Sequence, residues 1–158
     1  MSFASFPQQI SSPFSVNCKL HVLANNRGPL LDRIDIHIEV PAVPFSELSS
    51  GTPGTSSEQI REQVIVARMK QSQRFAKSST RYNAQMNSRQ IRELCPLNKA
   101  GRQVMKDTVE EMGLSARAHD KILRVARTIA DVSGDDDISI EHLHEAVNYR
   151  MLDRQIWT

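Results

Sequence analysis

The sequence predicts a mainly α protein: a helical bundle of about five helices, preceded by one β-strand and a flexible linker. Three observations carry this. From residue 57 onward apolar residues recur at i, i+3, i+4 and i+7 between residues that cap helices. A single stretch, IDIHIEV at 34–40, alternates apolar and polar without a break. Between the two lies a run rich in proline, glycine and serine, which favours turns and opposes both regular structures.

Residues 1–27 are polar, carry Pro7 and Pro13 and show no sustained period, so an irregular segment is expected. Residues 28–41 begin with the Gly28-Pro29 turn and pass through Leu30, Leu31, Asp32 and Arg33 into the strand. Ile34, Ile36, Ile38 and Val40 form its apolar face, with Asp35, His37 and Glu39 on a wet one, and Pro41 stops it. The linker spans 42–55. Thr55-x-x-Glu58 reads as a capping box for a helix from about Ser57 to Ala76, with Ile60, Val64, Ala67 and Phe75 inward. Asn87-x-x-Gln90 opens a short helix through Ile91 and Leu94 that Pro96 ends. Asn98 caps the next, with Val104, Met105, Val109 and Met112 inward and Gly113 as its stop. Ser115 caps the strongest helix, whose apolar face is Ala118, Ile122, Val125, Ala126, Ile129 and Val132, with Gly134 at its end. Ser139 caps the last, with Leu143, Val147 and Met151 in line. The helical domain is thus expected over 56–153.

Composition narrows the classes. With 158 residues, 39% of them hydrophobic, the chain suits one domain plus an appendage, and no apolar run approaches the ~18 residues of a membrane span. Residues 1–27 lack the basic start and apolar core of a signal peptide, so no membrane partner and a cytoplasmic location are expected. Cys18 and Cys95 form no CxxC pair and read as free thiols in a reducing compartment. The net charge of +2 hides an asymmetry. Residues 61–106 hold eleven Lys/Arg against two Glu, a net of +9, while 107–158 hold six against eleven acids, a net of −5.

Chemical motifs are sparse. The sequence has no GxxxxGK[ST] phosphate loop, no GxGxxG and no apolar strand ending in paired acids that could hold Mg²⁺. No Ser/His/Asp or Cys/His set shows a family spacing. No metal site is expected: Asp35, His37 and Glu39 read as the wet face of the strand, and His142 and His144 point about 200° apart on a helix. Two arginines stand out. Arg117 lies two residues past the Ser115 cap, where the helix dipole disfavours a cation, so its charge is either solvated or aimed at an anion. Arg33 stands at the mouth of the strand after an apolar pair that fixes its direction. It either pairs with Asp32 or Asp35 at the surface or protrudes toward another subunit.

GPLLDRIDIHIEV (28–40) and LSARAHDKILRVARTIAD (114–131), with RYNAQ (81–85), ELCPL (93–97) and EAVNYRMLD (145–153), resemble the C-terminal part of a magnesium-chelatase-type AAA+ ATPase. The similarity is greatest to the competence-protein (ComM-like, YifB-like) branch of that family. It runs from about residue 28 to 153; residues 1–27 do not match, and the chain is expected to be a piece of a longer or split enzyme. The resemblance implies that 56–153 is the helical lid and that 28–41 is a remnant of the α/β core. It further implies that Arg117 is the sensor 2 arginine, reaching the γ-phosphate of its own subunit's ATP. Arg33 matches the arginine finger that reaches a neighbouring subunit's ATP around a ring. A guanidinium suits both roles, because it gives planar, bidentate contacts to phosphate oxygens and keeps its proton. ATP and Mg²⁺ are cofactors of the parent family, and neither is expected to bind tightly to this chain alone. The implied partners are the remainder of the core and neighbouring ring subunits, with branched or single-stranded DNA favoured over a porphyrin as the parent's substrate.

The alternative is a free-standing nucleic-acid-binding helical module. Its basis is the 61–106 block, in particular Arg68, Arg74, Lys77 and Arg81, which has the charge density that phosphate neutralisation needs. Phe75 and Tyr82 are its only aromatics, so base stacking is poorly provided. The same block is also what a solvated helix face looks like.

Overall fold

The computed structural model describes residues 33–38, 40, 42, 43 and 54–150. The expected turn at 28–32, the irregular segment 1–27, most of the linker, Met151 and the end of EAVNYRMLD lie outside the described residues. The described part is mainly helical, with five α-helices: α1 Ser57–Arg74, α2 Ser88–Leu94, α3 Lys99–Met112, α4 Ala116–Ser133 and α5 Ile140–Asn148. A 3₁₀ turn, Asn83–Gln85, lies between α1 and α2.

Local chemistry sets the helix ends. The side chains of Asn87, Asn98, Ser115 and Ser139 accept from the third helical amide of α2, α3, α4 and α5, satisfying a donor that has no partner within the helix. Gly113 and Gly134 close α3 and α4 at φ of 61° and 87°, a left-handed conformation that L side chains resist. The first cap differs from expectation by one residue. Ser56, not Thr55, caps α1, and Gln59 rather than Glu58 completes the box. The run Thr55-Ser56-Ser57 followed by Glu58-Gln59 offers two registers of the same chemistry, and local pattern does not choose between them.

Burial is centred on α4, which packs against α1, the 3₁₀ turn, α2 and α5. The core joins Phe75, Met86, Ile91, Cys95, Met105, Ile122, Leu123, Ala126, Leu143 and Ala146. The predicted inward face of α1 is only half right. Ala67 and Phe75 are buried, but Ile60 and Val64 are each 48% exposed, and residues 54–66 are all exposed. The first turns of α1 extend past the bundle. Val132, in the last turn of α4, is also exposed rather than inward.

The predicted strand does not form among the described residues, and its expected apolar face is not the buried one. Ile36, Ile38 and Val40 are 45%, 67% and 80% exposed, whereas His37 is buried. A strand needs a neighbour to complete its ladder, and the described residues provide none. Instead the His37 amide donates to the Tyr149 carbonyl (2.8 Å) and Arg150 donates to the Ile34 carbonyl. The segment is therefore strapped to the end of α5. No helix among the described residues is long and apolar enough to cross a membrane.

Candidate functional site

Arg117 occupies the second position of α4 and is exposed. The Ser115 hydroxyl accepts from the Ala118 amide (3.1 Å), so the cap holds this turn in place and the side chain of Arg117 projects from a fixed base. Its charge sits at the positive end of an 18-residue helix, a position that costs stability unless an anion is shared by both. Arg33 is exposed as well. Two residues later the Asp35 carboxylate lies 2.8 Å from the ammonium of Lys121, which is one turn along α4 from Arg117. The fold thus ties the Arg33 segment to the half of α4 that carries Arg117.

The four basic residues offered for nucleic acid do not act as a set. Arg68, Lys77 and Arg81 are exposed. Arg74 differs from these three, being largely buried against a carboxylate. Its guanidinium makes two bonds to the Asp131 carboxylate (2.7 and 2.5 Å) and a third to Asn83 Oδ1 (2.9 Å). The Asp131 side chain is fully buried, which explains the assignment: Arg74 is the counter-ion that makes the burial tolerable. Arg68 instead stacks its guanidinium 3.7 Å from the centre of the Tyr82 ring. Arg68 holds the Tyr82 hydroxyl below its ordinary pKa.

Asp131 anchors a polar network that sequence reasoning missed. Besides Arg74, it accepts from Asn83 Nδ2 (2.8 Å) and pairs with Arg127 (3.2 Å). Asn83 also donates to Thr128, and its amide donates to Gln71. Arg127 continues to the carbonyls of Asp135 and Asp136, past the end of α4. Burial alone pushes the Asp131 carboxyl up, but the hydrogen bonds from Arg74 and Asn83 outweigh it and hold the group below its ordinary value. One signal was available. Leu123, Arg127 and Asp131 follow each other at i, i+4 along the buried side of α4, so the charged pair continues an apolar row. The partner Asn83 sits inside RYNAQ, which therefore supplies one member of this network.

The site fits its implied ligands in part. Two exposed arginines, one at a helix N-terminus, suit phosphate oxygens. For Mg²⁺ the fit fails: among the described residues no group of three or more His, Cys, Asp or Glu side chains is placed to hold a metal ion. Asp35 instead faces the Lys121 ammonium.

The described residues thus form a helical bundle built around one central helix, with Arg117 exposed in that helix's first turn. Residues 54–150 match the family model described as magnesium chelatase, subunit ChlI C-terminal, and the chain belongs to that family. The YifB protein of Escherichia coli (strain K12) is 40% identical over 136 residues, covering 85% of this chain and 26% of the relative. The competence protein ComM of Haemophilus influenzae is 41% identical over 128 residues, covering 80% and 24%. A protein of Mycobacterium tuberculosis is 29% identical over 132 residues. The chain therefore spans about a quarter of the length of the curated relatives it matches, and it corresponds to the C-terminal part of a ComM-like protein.

Proposed function

We propose that this chain is the helical lid of a ComM-type AAA+ ATPase, and that it serves ATP rather than hydrolysing it. Arg117 contacts the γ-phosphate of ATP held by its own subunit, and Arg33 reaches the ATP of a neighbour in a ring. The placement of Arg117 carries this reading: it is exposed in the first, capped turn of α4, where both the helix terminus and the guanidinium favour one anion. The phosphate loop and the acids that hold Mg²⁺ belong to the remainder of the core, so the chain alone binds nucleotide weakly. ATP supplies the energy for remodelling, with branched or single-stranded DNA as the substrate class.

The test is a full-length ATPase carrying this lid. Arg33→Ala is expected to reduce turnover by about 10³-fold or more, the scale of an arginine supplied in trans, with nucleotide binding largely kept. Arg117→Ala is expected to weaken ATP binding and turnover together. The isolated chain is expected to show no Mg²⁺-dependent hydrolysis. Normal turnover in Arg33→Ala removes the finger assignment.

A second reading, direct nucleic-acid binding by the lid, is favoured by the Arg68 stack on the exposed Tyr82 ring with Arg81 adjacent. With Arg74 withdrawn, Arg68, Lys77 and Arg81 remain, and three phosphate contacts on duplex DNA give a log K against log salt slope of about −2.7. A lack of binding at ~50 mM salt, where such contacts are strongest, leaves these residues as a solvated face.

A further inference from the structure

We propose that Lys121 and Arg150 are positioning residues that clasp the Arg33 segment to the lid, so that Arg33 and Arg117 move as one unit. This rests on the reading of both arginines as phosphate contacts. Three polar contacts build the clasp: Lys121 with the Asp35 carboxylate (2.8 Å), Arg150 with the Ile34 carbonyl, and the His37 amide with the Tyr149 carbonyl (2.8 Å). None of the three isoleucines is fully packed, Ile34, Ile36 and Ile38 being 39%, 45% and 67% exposed, so the polar contacts fix the register.

The two cations are unusual for their burial. Lys121 is 5% and Arg150 1% exposed, whereas most of the chain's basic residues face solvent. An ion pair between exposed side chains contributes little. An ammonium withdrawn from water is costly unless a carboxylate faces it, so the buried Lys121 draws the Asp35 carboxylate, itself 56% exposed, to the mouth of its site. Geometry then carries the restraint to the arginines. Asp35 is two residues from Arg33, at most about 7 Å of chain. Lys121 is one helical turn, about 5–6 Å, from Arg117. The lid therefore keeps a fixed place on the segment that carries Arg33, which couples the nucleotide seen by Arg117 to the one reached by Arg33.

The experiment has two arms. In this chain, hydrogen exchange of the His37 amide is followed in Lys121→Met, in Asp35→Asn and in the charge-swapped pair Lys121→Asp with Asp35→Lys. The single variants are expected to exchange about tenfold faster, with the swap restoring protection. Asp35→Asn keeps the test valid if Lys121→Met does not fold. In a full-length ATPase carrying this segment, Asp35→Asn is expected to lower kcat by about tenfold at unchanged KM for ATP, with recovery in the swap. Unchanged His37 exchange in both single variants overturns the clasp. Faster exchange with unchanged kcat, while Arg33→Ala is inactive, overturns the positioning role. If Arg33→Ala turns over normally, the finger reading fails, and faster His37 exchange still supports the clasp.

Discussion

Asp131→Ala is the substitution whose effect follows most directly from the structure. It removes the fully buried carboxylate that faces Arg74 through two bonds and Arg127 at 3.2 Å. Arg74, whose side chain is 16% exposed, keeps only Asn83 Oδ1, while Arg127 keeps the Asp135 and Asp136 carbonyls. Asn83 loses one acceptor and keeps Thr128. Breaking a buried pair from one side strands the other charge, which costs about 3–5 kcal/mol. A domain of this size has about 5–15 kcal/mol of stability, so the loss is a large part of the whole. With a urea m-value of about 1 kcal/mol per molar, the unfolding midpoint followed by circular dichroism should fall by about 3 M or more. A double-mutant cycle with Arg74→Ala should give a coupling of about 2–3 kcal/mol, because each single change already breaks the shared bonds. Coupling below about 0.5 kcal/mol would refute the argument, since contacting charges that share no energy are not desolvated together.

Three further outcomes follow from the same contacts. Because the folded state holds the Asp131 carboxyl below its ordinary value, its stabilising effect is complete above about pH 4, where the unfolded carboxylate is charged, and is lost as pH falls through the folded value. Urea midpoints at pH 5 and pH 3 should differ more in the parent chain than in Asp131→Asn. Burial pushes the Cys95 thiol up to about 11. At pH 8 that leaves roughly two orders of magnitude less thiolate than an ordinary cysteine has, so in a Cys18→Ser background a thiol reagent should label Cys95 only as the bundle unfolds. Gly113→Ala should lower stability by about 1 kcal/mol although nothing lies within 4 Å of the added methyl, because φ is 61° there; an unchanged urea midpoint would show that the turn relaxes.

What could be read from the sequence was local. Asn87, Asn98, Ser115 and Ser139 bond to amides three residues away, and Gly113 and Gly134 answer to their own φ, so their roles are visible within a few residues. Asp131 was not legible as a buried anchor because Arg74 and Asn83 lie 57 and 48 residues away in the chain, and no short window holds them together. IDIHIEV alternates as a strand should, but alternation states only which residues share a face. Whether a neighbouring strand exists to complete the ladder is decided elsewhere, and here the amide of His37 goes to the end of α5. Arg117 is read from its place two residues past a cap, a local signal, whereas Arg74, equally basic on paper, is separated from its neighbours only by the carboxylate it meets.

The uneven anchoring of α1 has a consequence for anything that binds there. Its C-terminal half is fixed through Ala67, Gln71 and Arg74, whereas among the described residues Ser57–Val66 is exposed and held by its Ser56–Gln59 cap. A free helix that short is marginal in water, so these turns are expected to open more readily than the rest of the bundle. A ligand covering Ile60, Val64 and Ile65 therefore meets its surface fully assembled for only part of the time, and its apparent affinity is reduced by that fraction. Strengthening the Ser56–Gln59 cap would raise affinity without touching the contact itself, and replacing Ser56 by alanine would lower it in the same way.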